Sequence, residues 1–438
     1  MRLLKEYSVS IADLYHTTEV ASLLKAAQLH PFLKKIDGAS LLRDVIPSRL
    51  SVNAKLFLAG GLINGFSNGV FNAVMQLYMV SLGYNAQNLG YIFMMNSLTS
   101  TLLAVPAGLM GDRYGKRKII IVGSIAVTMS MIFFFMAQTV EVFALAFLLI
   151  GVSNASGTVF APLYSSFFDD DDMDKAFGLW GLLNISAMSI GSLMGYVPQL
   201  LVSATGISLP VSYRYTMMLA GSLFVLQNIF YIMSCRGVKE TLSKDIRFNL
   251  KSRNVVFKIC LITLLINVAG GIMFSLFPYY VNKKYGVESA ALGTLFFVSN
   301  LFMAFAKGAA ATFSKRLGGM RSITLGVALS ALFFIALPLS PSFGFLSIMF
   351  VLRQGTRFMS DPLISSLFMR SLAEDEKSTA NSIMTISMNG GGAISLWLGG
   401  TLMEKVSLDS PAFIGGTTTI VAAALLPLIL RKEAEKLD

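Results

Sequence analysis

The fold class this chain predicts is an all-α membrane protein, and three observations predict it. Hydrophobic residues make up 54% of the 438 residues and charged residues only 13%, about half the charged share of a soluble domain. The apolar residues come in runs of about 20 or more, which suits helices that cross a bilayer and exceeds what barrel strands need. The basic residues gather in the short polar breaks between those runs, the pattern of loops retained on one side of a membrane.

In chain order, residues 1–50 lack the long apolar core of a signal peptide. Ile11, Leu14, Tyr15, Val20, Leu23, Leu24 and Ala27 recur at helical spacing until Pro31. Leu41, Leu42, Val45 and Ile46 form a second amphipathic piece with Arg43 and Arg49. This extension is expected to lie against the cytoplasmic membrane surface. Apolar runs then predict six spans in a first bundle, residues 51–235: about 54–80, 88–111, 117–137, 140–167, 175–203 and 210–235. A polar linker, 236–254, separates them from a second bundle, 255–438, which ends in a short tail. Its spans are about 255–281, 288–313, 320–338, 342–369, 377–403 and 411–430.

Loop charge sets the orientation. Arg113, Lys116, Arg117, Lys118, the seven basic residues from Arg236 to Lys258, Lys315, Arg316 and Arg321 fall on one side. Only Lys283, Lys284 and Lys405 fall in loops on the other, with Arg214 at that edge of the sixth span. Both termini are therefore expected in the cytoplasm. The net charge of +11 is read as this topology signal, not as a nucleic-acid footprint.

The two bundles repeat one another. Ala-Pro-Leu-Tyr-Ser-Ser-Phe-Phe at 161–168 matches Asp-Pro-Leu-Ile-Ser-Ser-Leu-Phe at 361–368, each late in a span and each before an acidic loop. Gly108 pairs with Gly308 at the same offset, and Ser-Lys-Arg-Leu-Gly-Gly-Met-Arg at 314–321 stands where the first bundle has Gly-Leu-Met-Gly-Asp-Arg-Tyr-Gly-Lys-Arg-Lys at 108–118. In that first stretch Gly108 admits close approach of another helix. Asp112 and Arg113 open the turn with opposite charges, Gly115 tolerates positive φ, and Lys116, Arg117 and Lys118 hold the loop inside.

Coming after exactly two spans, the pattern Gly-x-x-x-Asp-Arg-x-Gly-Lys-Arg resembles the loop between helices 2 and 3 of the major facilitator superfamily of transporters. The resemblance covers about residues 51–430, and the second copy lacks the aspartate. It implies twelve helices in two six-helix halves that rock about a midplane site. It also implies that Gly108, Asp112, Arg113, Gly115, Lys116 and Arg117 form a gate latching the halves on the cytoplasmic side. Drug-antiporter members carry a Gly-Pro step in the fifth helix. This chain has Gly191-x-x-x-Gly195 and Pro198 but not that step.

Four ionisable residues lie well inside the spans: Lys307, Arg353, Arg357 and Asp361. Such residues are costly in lipid and face a cavity or a partner. Arg353, Arg357 and Asp361 are four apart and share one helix face. An Arg357–Asp361 pair can be purely structural, but it cannot also neutralise Arg353. Asn64, Asn68, Asn72 and Gln76 run along the first span at steps of four, either as a hydrogen-bonding cavity wall or as interhelical glue. Asn267 is their counterpart in the second bundle, and Asn96, Asn154, Asn184 and Asn300 are weaker candidates. Gly390, Gly391 and Gly392 permit close packing or bending, and Asp169–Asp172 is read as a solvated start to the fifth span.

These residues point to an amphiphilic organic anion as substrate, with a coupling proton or ion as a further partner and the chain working as a monomer in the cell membrane. The rival readings are a proton-coupled multidrug efflux antiporter and a non-transporting sensor of the same fold. An enzyme is not expected, because the spans hold no nucleophile–base pair. No cofactor or metal is expected either. There is no Gly-x-x-x-x-Gly-Lys-Ser/Thr motif, Cys235 and Cys260 are isolated, and His16 and His30 precede the first span as solvated side chains.

Overall fold

The structure is a computed structural model. It describes residue 47 and residues 49–238, 252–372 and 376–430. The expected extension, most of the linker and the carboxyl tail lie outside the described residues. Among those described there are helices and turns and no strand.

The first long helix, α1, is Val52–Ser81. It starts where the Ser51 side chain accepts from the Ala54 amide, filling one of the four donor groups a helix start leaves free. Asn85 caps α2, Ala86–Tyr114, in the same way. Then come α3, Lys116–Met136, and α4, Val140–Ser165. Next is α5, which runs from Asp170–Ser192 through a tight turn at Leu193–Tyr196 into Val197–Thr205. Leu209–Ser234 is α6.

The second half opens with α7, broken into Arg253–Phe274 and Phe277–Tyr285. It continues with α8, Ser289–Leu317, α9, Gly319–Ala336, and α10, Phe343–Arg370, capped by Ser342. Lys377–Lys405 is α11 and Ser410–Ile429 is α12. Gly115 (φ 101°) and Gly318 (φ 85°) make matching left-handed turns after α2 and α8, where a side chain would be strained. The sequence repeat is thus also present in the backbone.

Among the described residues, nine of these helices, α2 to α9 and α12, are long and apolar enough to cross a membrane. The other three, α1, α10 and α11, have 30, 28 and 29 residues, so length is not what separates them. They are the helices that carry Asn64, Asn68, Asn72, Gln76, Arg353, Arg357, Asp361 and Asn389.

The turns at Gly83, Gly206 and Gly286 lie at one end of the bundle, and those at Gly115, Gly237 and Gly318 at the other. At the Gly286 end a single apolar core runs through both halves. It joins Met75 and Met79 of α1 and Leu89 of α2 to Phe277 and Tyr280 of α7 and Leu292 of α8. A second core near the Gly318 turn, around Ile259, Ile323, Leu367 and Phe368, belongs to the second half alone.

The halves meet at two backbone crossings. On α2, a Cβ added at Gly90 would stand 2.6 Å from the Leu396 carbonyl oxygen and 3.2 Å from the Gly400 Cα. On α5, a Cβ added at Gly195 would lie 3.3 Å from the Gly293 Cα of α8. Hydrogen bonds reinforce this side: Tyr196 with Thr294 at 2.9 Å, Gln199 to Glu288 at 3.1 Å, and Ser289 to the Gly195 carbonyl at 2.7 Å.

Candidate functional site

Arg353 lies ten residues into α10, about 15 Å along its axis from the Gly286 end. It is 5% exposed. Its guanidinium carbon sits 3.7 Å from the centroid of the Phe274 ring, at the broken end of α7, and 5.2 Å from that of Phe334 on α9. One terminal nitrogen donates to Gln354 Oε1 at 2.5 Å, while the buried Nε has no hydrogen-bond partner. Gly270 opposite leaves room for the fork: a Cβ there would come within 3.2 Å of its second terminal nitrogen. Among the described residues no carboxylate forms an ion pair with Arg353; two rings and a neutral amide contact it instead.

One turn further on, Arg357 is buried and paired with Asp361 on its own helix. Its guanidinium also lies 5.7 Å from the Phe358 ring. Lys307 of α8 reaches the same ring, with Nζ 5.1 Å from its centroid. The structure therefore brings Lys307 and Arg357 to Phe358, with Asp361 paired to Arg357 and Arg353 one turn away. Asn267 donates to the Thr263 carbonyl of its own helix at 2.8 Å.

The α1 stripe divides. Asn68 donates to the Asn64 carbonyl at 2.9 Å and contacts its side chain at 3.2 Å. Asn184 of α5 donates to the Gly61 carbonyl at 3.1 Å and approaches Asn64 Oδ1 at 3.4 Å. Gln76 reaches the other half, donating to the Ser275 carbonyl at 2.8 Å and accepting from the Tyr279 amide at 3.1 Å. Asn72 is the exposed member of the stripe. Asn154 of α4 donates to Asn96 of α2 at 3.0 Å. Asn300 is half-buried.

In the Gly115 turn, Asp112 and Arg113 are exposed, and Arg113 lies over the neighbouring Tyr114 ring. Lys116 donates to the Pro162 carbonyl at 3.4 Å, which ties the turn to α4 of its own half. Arg117 is exposed on the first turn of α3. The close approach expected at Gly108 is not seen: a Cβ there would meet only Thr158 Oγ1, at 3.9 Å. The tight contact falls one turn later, where a Cβ on Gly111 would come within 2.5 Å of Val159, because α4 leans on α2 at that level. The other glycine runs do pack closely. Gly191 meets Phe66 of α1, Gly391 meets Leu264 and Val268 of α7, and Gly392 faces Ser97 of α2.

The sequence profile of the Major Facilitator Superfamily matches residues 57–395 and 259–438 of this chain. The chain belongs to that superfamily. A Methanocaldococcus jannaschii protein described as an uncharacterized MFS-type transporter is 24% identical over 347 residues, which is 75% of this chain and 86% of that protein. The class E tetracycline resistance protein of Escherichia coli is 22% identical over 246 residues, 55% of this chain and 60% of that protein. Among solved structures, a bacterial homologue of the iron transporter ferroportin in an inward-facing state superposes with a TM-score of 0.68. It has 14% identity and covers 88% of this chain and all of that one. At that identity the likeness establishes the fold. The facilitator chain is thus an integral membrane transporter of small molecules rather than an enzyme. Among the described residues no three His, Cys, Asp or Glu side chains come together as a metal site.

Sequence reasoning missed two features of this facilitator. One is the ring that covers Arg353, since nothing in a Phe-rich span marks Phe274. The other is a knot at the Gly286 end. Lys284 Nζ donates at 2.6 Å to both Asp409 Oδ1 and the Pro338 carbonyl, and Tyr280 donates to the same carboxylate at 2.6 Å. In the sequence, Lys284 reads as a loop charge alone.

Proposed function

We propose that this protein is a secondary transporter that moves an amphiphilic organic anion across the cell membrane by alternating access. Arg353 and Arg357 are its anion contacts, with Lys307 and Asp361 completing the charged group. The observation that carries the reading is Arg353: a guanidinium at membrane depth, 5% exposed, with an unpartnered Nε and, among the described residues, a ring rather than an ion-paired carboxylate against it. Three deep cations face one deep carboxylate, and uncompensated charge in a low-dielectric interior recruits an anion. The guanidinium fork suits a carboxylate, phosphate or sulfonate that accepts two bonds at once. Phe274, Phe334 and Phe358 supply an apolar wall beside it.

With the basic loops inside, the Gly115 end is cytoplasmic and so are both termini. The core shared at the Gly286 end then makes this conformation the inward-facing one. α1, α10 and α11 complete twelve crossings, and their polar residues are the price of lining the path. The protein acts as a monomer of two bundles, 51–235 and 255–438. An inside-negative potential favours export of an anion by about 2.3 kcal/mol per charge per 100 mV.

The test is binding of matched anionic, neutral and cationic analogues to the detergent-purified chain. The anion should bind tightest, Arg353→Gln and Arg357→Gln should each weaken it at least tenfold, and Arg353→Lys should fail to restore it. Tighter binding of cations to the unmodified chain would sink the reading.

A second reading, a proton-coupled multidrug efflux antiporter, is favoured by the similarity to the tetracycline resistance protein. Asp361 would be its proton carrier. Under it, cationic or neutral drugs would discharge a pH gradient in vesicles, and Asp361→Asn would abolish the discharge.

A further inference from the structure

A groove of about 290 Å³ runs between α3 and α6 on the outside of the first half. Its walls are Ile121, Ile125 and Met129 of α3 and Val225, Ile229 and Ile232 of α6. Ile125, Met129 and Ile229 are 56%, 45% and 49% exposed, so the groove opens away from the protein interior. Its three polar residues are internally satisfied. Ser124 donates to the Ile120 carbonyl at 2.7 Å, Thr128 to the Ser124 carbonyl at 2.8 Å, and Asn228 to the Phe224 carbonyl at 2.8 Å. The lining thus asks for no polar partner and suits a hydrocarbon chain.

Charge marks one mouth of this groove. On α3 the wall stripe 121, 125, 129 continues back by three residues to Lys118. That step stays on one helix face and moves about one turn, roughly 5.4 Å, along the axis. Beyond the α6 wall at 225, 229 and 232, the chain leaves the helix after Ser234 and places Arg236 in the turn that follows. Lys118 and Arg236 are both exposed and both lie at the Gly115 end, the end where Arg117 also lies. Neither α3 nor α6 contains a carboxylate to answer them.

From this pairing of an apolar groove with a basic mouth we infer a binding site for one anionic phospholipid. An acyl chain lies between α3 and α6, and the phosphate lies between Lys118 and Arg236. The site is separate from the Arg353 region and does not depend on any substrate. It sits on the helix that leaves the Gly115 turn. A lipid held there braces α3 against α6 and offsets part of the charge next to the gate sequence. Each basic group near an anionic lipid contributes about 1 kcal/mol, so removal of each should weaken retention about fivefold.

The full-length chain, purified in detergent, would be titrated with dioleoylphosphatidylglycerol or dioleoylphosphatidylcholine, and retained lipids counted by native mass spectrometry. The unmodified protein should hold one phosphatidylglycerol more firmly than any phosphatidylcholine. Lys118→Gln with Arg236→Gln should lose that lipid, by about 25-fold in affinity if the two charges act independently. Lys315→Gln with Arg316→Gln, an equal charge change on the second half, should keep it. Ile229→Trp, which fills the groove while leaving both cations, should also lose it. Equal retention of the two lipids, the same loss from both charge pairs, or an unchanged count in Ile229→Trp would overturn the inference. sn-Glycerol 3-phosphate, which lacks the chains, should not compete; if it did, the site would be a phosphate site and not a lipid site.

Discussion

The Gln76 side-chain amide closes over the break in α7: its nitrogen lies 2.8 Å from the Ser275 carbonyl oxygen, and its oxygen takes the Tyr279 amide at 3.1 Å. A helix interrupted at Ser275–Leu276 leaves backbone groups without partners. Here the first half of the chain supplies them to the second. The α1 amide is therefore both a satisfier of backbone and a strap between halves, and it must let go whenever the Gly286 end opens.

Gln76→Leu removes both bonds while keeping the volume. Membrane hydrogen bonds average about 0.6 kcal/mol each, so the closed Gly286 end should lose about 1 kcal/mol and its population should fall about fivefold relative to the open one. Spin labels on Leu82→Cys and Val406→Cys, both exposed at that end, would report a longer distance component growing in the variant. An unchanged distance distribution would show that the strap does not hold the end shut.

Gly90→Val tests the α2–α11 crossing. The new Cβ would lie 2.6 Å from the Leu396 carbonyl oxygen, and backbone cannot yield there as a flexible side chain would. Solute flux should fall below a tenth of normal while membrane insertion persists. Gly308→Ala, at a position where a Cβ meets nothing within 4 Å, should transport normally. Equal flux in the two variants would contradict the crossing.

The Lys284 knot should contribute stability and not selectivity. Lys284 and Asp409 side chains are 20% and 37% exposed, so solvent screens the pair and a coupling of about 1 kcal/mol is expected from a double-mutant cycle of Lys284→Met and Asp409→Leu. Thermal unfolding of each single variant should come earlier, with the affinity for solute unchanged. Thermal curves identical to those of the parent would remove the knot from the account.

Asp112→Asn separates a gate role from a fold role. Asp112 is exposed in this conformation, so thermal stability should be unchanged. Transport should drop severalfold at equal expression if the opposite conformation relies on that charge. Parental flux would discard the latch.

Much of the helix plan could be read from the chain, because bilayer crossing demands long apolar runs and Gly115 and Gly318 punctuate them. The break in α7 could not, since the apolar run continues from Ile272 through Val281 with only Ser275 and Pro278 to mark it. Gln76 could be picked out as polar in a span, yet its partner is 199 residues away, and no local spacing specifies such a contact. For the same reason Arg353 and Asp361 stood out by their cost in lipid, whereas Phe274 was one aromatic among many. Gly108 illustrates the opposite error. A small residue permits close packing but does not compel it, and α4 came nearest at Gly111 instead.

The Phe274 ring over Arg353 bears on the return stroke of the empty carrier. A cation–π contact at a desolvated site contributes about 2 kcal/mol, a fraction of what a bound anion would offer, and it needs no water and no diffusing partner. If Arg353 holds the anion as proposed, the phenyl face would act as a resident stand-in for cargo, keeping the guanidinium tolerable when nothing is bound. Under the anion-transport reading proposed above, a carrier built this way would reset unloaded and support net movement of its substrate, where a naked arginine would bind it to strict one-for-one exchange.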